Sequence, residues 1–154
     1  MSNFKEKIAL TLATVLYAGY IPKIPGTMGS LAAILFWALL MWCKIPQNVY
    51  LILLLIIIIL GIIASTISEK IIGKTDPGQI VIDEFAGILI TMFTIPFSLK
   101  YAIIGFIIFR IYDILKPFPI NIIQKLPKGY GIMFDDILAG FFSFIILKAL
   151  CQIV

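Results

Sequence analysis

At 154 residues the chain is one domain, residues 1–154, and its 62% hydrophobic content and mean hydropathy of +1.13 exclude a soluble fold. Soluble domains hold roughly 45–50% apolar residues, and a chain this short cannot hide the excess from water, so it belongs in lipid. The net charge of +4 is scattered rather than blocked, which suits an anionic bilayer surface or a phosphorylated substrate and, without any recognition motif, excludes nucleic acid.

Residues 4–18 open with Lys5 and Lys7, continue apolar, and end in the small residues Ala18 and Gly19. The profile resembles a signal peptide, but a short helix at the interface or packed inside the bundle fits it better. Next comes Ile21-Pro22-Lys23-Ile24-Pro25-Gly26-Thr27-Met28-Gly29-Ser30, ahead of the apolar run Leu31–Trp42. The prolines stop the preceding helix, and Ser30 or Thr27 is expected to cap the following one. A turn containing Gly26 and Gly29 that feeds a helix N-terminus offers N–H groups to an anion, and Lys23 adds charge. Taken alone, the same run also reads as an ordinary capped turn.

Residues 48–68 hold about twenty apolar residues without an acid or base, enough to cross a bilayer of about 30 Å. A loop, 69–79, leads to Ile80-Val81-Ile82-Asp83-Glu84-Phe85-Ala86-Gly87, which sets two adjacent carboxylates in an otherwise apolar segment reaching Phe97. An acid inside a membrane helix costs about 2.5–3.5 kcal/mol on insertion scales, and two side by side also repel. Clustered carboxylates are best matched by a divalent cation. Segment 101–116 ends with Arg110, Asp113 and Lys116 on one helical face before Pro117 stops it. Arg110 and Asp113 alone read as an internal salt bridge; beside four further acids they read as functional. The last helix, from about 133 to 153, repeats the acidic theme in Asp135-Asp136-Ile137-Leu138-Ala139-Gly140.

The expected spans are 30–43, 48–68, 80–96, 101–116 and 134–153. The fold class is therefore all-α: a polytopic membrane bundle of about five embedded helices plus a short N-terminal one. With these spans every acid falls on one side, along with nine basic residues, leaving Lys44, Lys100 and Lys148 opposite. That asymmetry places the motif side in the cytoplasm. Asp83 and Asp136 share small residues at the same offsets, Ala86-Gly87 and Ala139-Gly140, which predicts two acidic helices crossing closely beside one site. Glu84 and Asp135 point roughly 100° away from their neighbours, so the four acids need not share one ion.

Histidine is absent, which excludes imidazole bases, phosphohistidine intermediates and most zinc sites; Cys43 and Cys151 lie in no CxxC pattern. Oxygen ligands select magnesium, manganese or calcium, and a hard cation beside Lys and Arg makes a phosphate site. One carboxylate then activates water or attacks phosphorus directly.

The runs IPKIPGTMGSLAAILFW (21–37), IVIDEFAG (80–87), FRIYDILKPFPI (109–120) and GIMFDDILAG (131–140) resemble bacterial phosphatidylglycerophosphatase A. The resemblance covers most of the chain and implies a Mg2+-dependent phosphatase that converts phosphatidylglycerophosphate to phosphatidylglycerol in the bacterial cytoplasmic (inner) membrane. It implies an acidic site of Asp83, Glu84, Asp113, Asp135 and Asp136. Of these, Asp83, Asp113 and Asp136 are the catalytic candidates, and Asp83, Glu84, Asp135 and Asp136 the metal ligands. Lys23, Thr27, Gly29, Ser30, Arg110 and Lys116 are the candidates for the substrate phosphate. A CDP-alcohol phosphotransferase is the competing enzyme, although its spaced DGxxAR arrangement is missing. A small divalent-cation transporter is the competing non-enzyme, and acids at two depths in the bundle would favour it.

Overall fold

The computed structural model describes residues 4–153, and every regular element among them is helical. Helix α1 (Phe4–Ala13) is followed by α2 (Pro25–Trp42), α3 (Gln47–Ile72), α4 (Ile82–Thr91), α5 (Leu99–Leu115), the single turn α6 (Ile120–Ile123) and α7 (Gly129–Ile153). Three of them, α2, α3 and α7, are long and apolar enough to cross a membrane. The expected count of about five embedded helices is completed by two shorter ones. The 17 residues of α5 rise roughly 25 Å, while the ten of α4 rise only about 15 Å.

Several boundaries differ from the sequence expectation. The N-terminal helix stops at Ala13, because Val15, Leu16 and Tyr17 all take positive φ angles (47°, 53° and 68°) and a 3-10 turn follows at Ala18–Tyr20. Helix α2 begins five residues earlier than expected. Pro25 occupies its first turn, where a fixed φ and a missing N–H cost nothing, and Ile24 rather than Thr27 or Ser30 is the N-cap residue. The Gly-rich run is thus the opening of the helix itself. Helix α4 is shorter than the apolar stretch that contains it: it ends at Thr91, and Thr94 turns the chain with φ 58° ahead of Pro96.

The short helix α4 lies at the centre, packed against α2, α3, α5 and α7. Its residues Asp83, Ala86, Gly87, Ile88, Leu89 and Thr91 are all buried. Small residues allow this crowding. A β-carbon on Gly29 of α2 would stand 2.7 Å from the Val81 β-carbon, and one on Gly87 would lie 2.8 Å from the Asp136 carbonyl oxygen and closer still to the Phe109 ring. At the far end α4 is tied down by polar contacts. The Tyr50 hydroxyl donates to the Leu89 carbonyl (2.7 Å), and the Lys148 ammonium donates to the carbonyl and hydroxyl of Thr94 (3.0 and 3.1 Å). The outward faces stay apolar: Ile52, Leu55, Ile56, Ile59 and Ile63 on α3, and Ile103, Ile107 and Ile114 on α5, are exposed, as a lipid-facing surface requires.

Candidate active site

The starts of α2, α4 and α7 and the ends of α3 and α5 meet at one end of the bundle. Gly26 touches Glu84 and Arg110, Gly129 abuts Ile62, and the Gly129 N–H donates to the Thr66 hydroxyl (3.1 Å). Asp83 and Glu84 lie in the first turn of α4, where unpaired N–H groups and the helix dipole favour negative charge. The crossing predicted from the Ala-Gly repeats is present: Gly87 and Gly140 pack backbone on backbone, and the Thr91 hydroxyl of α4 donates across to the carbonyl of Gly140 (3.4 Å).

That crossing brings one oxygen each of Asp83, Glu84 and Asp136 within 4.8 Å of one another. Asp83 Oδ1, Glu84 Oε2 and Asp136 Oδ2 are buried and have no hydrogen-bond partner among the described residues. A buried carboxylate oxygen without a partner costs several kcal/mol, and three together repel. The donor set therefore fits a hard divalent cation: oxygen-only, anionic and convergent. Asp135, adjacent in sequence to Asp136, faces elsewhere. It pairs with the Lys116 ammonium, and its Oδ1 accepts the N–H of Asp136 (2.9 Å).

The cations bind the outer edge of this cluster in a chain of ion pairs. Arg110 reaches Asp113 at 2.5 Å and Glu84 at 3.9 Å, and Lys116 lies 4.0 Å from Asp113 as well as against Asp135. Lys116 stands just beyond the C-terminus of α5, in a left-handed conformation with φ 40°.

The remaining candidates occupy three different environments. Thr27 is half-buried in the first turn of α2. Ser30 is fully buried and donates its hydroxyl hydrogen to the Gly26 carbonyl (2.9 Å), while Gly29 faces Val81, so both lie inside the packing of α2 against α4. Lys23 is exposed, with φ 74°. Gly26, part of the Gly-rich run but not among the residues singled out for the substrate phosphate, is the point where α2 touches both Glu84 and Arg110. The signal was the Pro25-Gly26 pair, a first-turn proline followed by a residue without a side chain.

A family model described as phosphatidylglycerophosphatase A matches residues 11–151. Phosphatidylglycerophosphatase A of Escherichia coli (strain K12) is 41% identical over 134 residues, covering 86% of this chain and 77% of that protein. The protein of the same name in Haemophilus influenzae is 37% identical over 156 aligned positions, covering 97% and 95%. A relative in Bacteroides thetaiotaomicron, provisionally named a phosphatidylinositol-3-phosphatase, is 33% identical over 147 residues, 91% of each chain. No solved structure matches. With the family match running from the end of α1 to the end of α7, this chain belongs to the phosphatidylglycerophosphatase A family.

Proposed function

We propose that the chain hydrolyses phosphatidylglycerophosphate to phosphatidylglycerol and inorganic phosphate, with Mg2+ held by Asp83, Glu84 and Asp136. One observation carries the reading: Asp83, Glu84 and Asp136, each with a buried carboxylate oxygen that lacks a hydrogen-bond partner among the described residues, bring carboxylate oxygens within 4.8 Å of one another beside Arg110 in a member of this family. When bound, the cation supplies positive charge against the phosphoryl oxygens as charge builds there. Arg110 already sits against Glu84, so its remaining N–H groups are available to the terminal phosphate. Asp113 fixes the Arg110 guanidinium, and Lys116 in turn anchors Asp113 and Asp135.

In the reaction a water oxygen bonds to phosphorus, the phosphorus bond to the glycerol oxygen breaks, and that oxygen takes up a proton. A carboxylate of the trio either accepts the proton of the attacking water or first attacks phosphorus itself; the geometry serves both routes.

The site opens toward the cytoplasm in this reading, because nine basic residues flank that end against three at the other, and the membrane is the bacterial inner membrane. A transporter is disfavoured. Asp83, Glu84, Asp113, Asp135 and Asp136 form one connected cluster, whereas Lys148 holds the far end of α4.

The test is phosphate release from phosphatidylglycerophosphate by detergent-purified protein, with and without Mg2+. Release that chelation removes and Mg2+ restores supports the reading. No release from folded protein, or faster turnover of phosphatidylinositol 3-phosphate, overturns the substrate assignment.

A further inference from the structure

Beside the acid cluster lies a separate cavity of about 320 Å³ at the start of α2. Three chain segments wall it: the 3-10 turn through Tyr20, the stretch carrying Lys23 up to Pro25, and the loop after α3 carrying Lys74 and Gln79. Two lysines line this cavity and no carboxylate does. Neither lysine is in a salt bridge among the described residues. Both lysines are exposed, and an open polar cavity lined by two ammonium groups and no carboxylate suits an anion, since ammonium groups serve phosphate oxygens as point charges.

The position of the cavity says which anion. Pro25 borders it, and the next residue, Gly26, touches Glu84 and Arg110. Consecutive α-carbons are about 3.8 Å apart, so the cavity and the acid cluster share the first turn of α2. The substrate proposed above carries two phosphates joined by a three-carbon glycerol: the terminal monoester, which is cleaved, and the phosphodiester, which remains. A monoester held at the acid cluster leaves its diester within reach of the neighbouring cavity.

Resting on that reading of the site, we infer that the cavity of Lys23 and Lys74 binds the phosphodiester of the same lipid, and so selects two-phosphate lipids over phosphatidic acid. Lys74, in the loop ahead of the Asp83-Glu84 motif, becomes a specificity residue for the reaction. Gln79 adds neutral hydrogen-bonding capacity to the wall without opposing the anion.

The experiment compares kcat/KM for phosphatidylglycerophosphate and for phosphatidic acid in nonionic detergent free of anionic lipid. Wild type, Lys74→Gln and Lys74→Arg are measured side by side. The expected result is that Lys74→Gln lowers the ratio of the two values about tenfold, through KM, and that Lys74→Arg recovers most of it. Phosphatidylglycerol, which keeps only the diester, inhibits wild type and inhibits Lys74→Gln more weakly. An unchanged ratio overturns the inference. So does an effect that emerges only when anionic phospholipid is added, since the cavity then serves a neighbouring lipid rather than the substrate. A wild type that releases no phosphate from phosphatidylglycerophosphate takes down the functional reading and this inference together; an active wild type with an unchanged ratio in the variant takes down this inference alone.

Discussion

Gly87 of α4 and Gly140 of α7 meet backbone to backbone: a β-carbon on Gly140 would stand 3.0 Å from the Gly87 α-carbon and closer still to its carbonyl oxygen. Asp83 and Asp136 each lie four residues before their glycine, one helical turn toward the site end of the bundle. The glycine contact therefore sets the distance between the two acids.

Substituting Gly140→Ala tests that coupling. The obstacle is backbone rather than a flexible side chain, so α4 and α7 must separate. The expected cost is about 1–3 kcal/mol of stability. Thermal unfolding in detergent should show it, with phosphate release per folded molecule falling as well. Turnover that survives intact would show that the crossing does not set the geometry of the acids.

Asp83→Asn and Asp136→Asn are expected to fold normally, because each removes a charge from a crowded cluster without changing its shape. Phosphate release should nevertheless drop about 100-fold or more, as when an electrostatic group of a reaction centre is removed. Retained turnover by Asp83→Asn would take that residue out of the site.

The cation can be detected without turnover. Mg2+ should raise the unfolding temperature of wild type, reaching about 2.7 kcal/mol of stabilisation at a concentration 100 times its Kd. The triple variant Asp83→Asn, Glu84→Gln, Asp136→Asn should show no such response, and chelation should reverse it in wild type. An equal response in both proteins would move the ion elsewhere.

Arg110→Lys keeps the charge and loses the planar guanidinium, one nitrogen of which (Nη1) reaches both Asp113 and Glu84. A fall in kcat/KM of about tenfold or more is expected, one charged hydrogen bond being worth that much. Full activity in the lysine variant would reduce Arg110 to a source of charge.

Lys148→Met removes the distal tie to Thr94 and leaves its carbonyl without that donor. Stability should fall by about 1–3 kcal/mol, while KM and kcat per folded molecule stay unchanged. A change in KM would link the far end of α4 to the substrate site.

Much of this was legible along the chain. Acids in apolar surroundings are too costly to keep without a purpose, so Asp83, Glu84, Asp135 and Asp136 announce themselves. Apolar runs of about twenty residues announce helices in lipid, and the matched Ala-Gly offsets foretold the crossing of α4 and α7. Boundaries were less legible. Pro25 reads equally as a breaker or as a first helical residue, and an apolar stretch does not reveal that α4 will stop after ten residues at a turn held by Lys148.

Sequence alone thus determined the helical membrane class and singled out the buried acids, because both follow from residue types and their transfer costs. Which acids lie together was decided by the tertiary structure. Glu84 joined Asp83 and Asp136, while Asp135 turned to Lys116. Neighbours in a helix point roughly 100° apart, and only the packing of α2, α5 and α7 around α4 determines which of those directions meet. The same packing brought Lys23 and Lys74 to one cavity, two residues that local sequence gives no reason to pair.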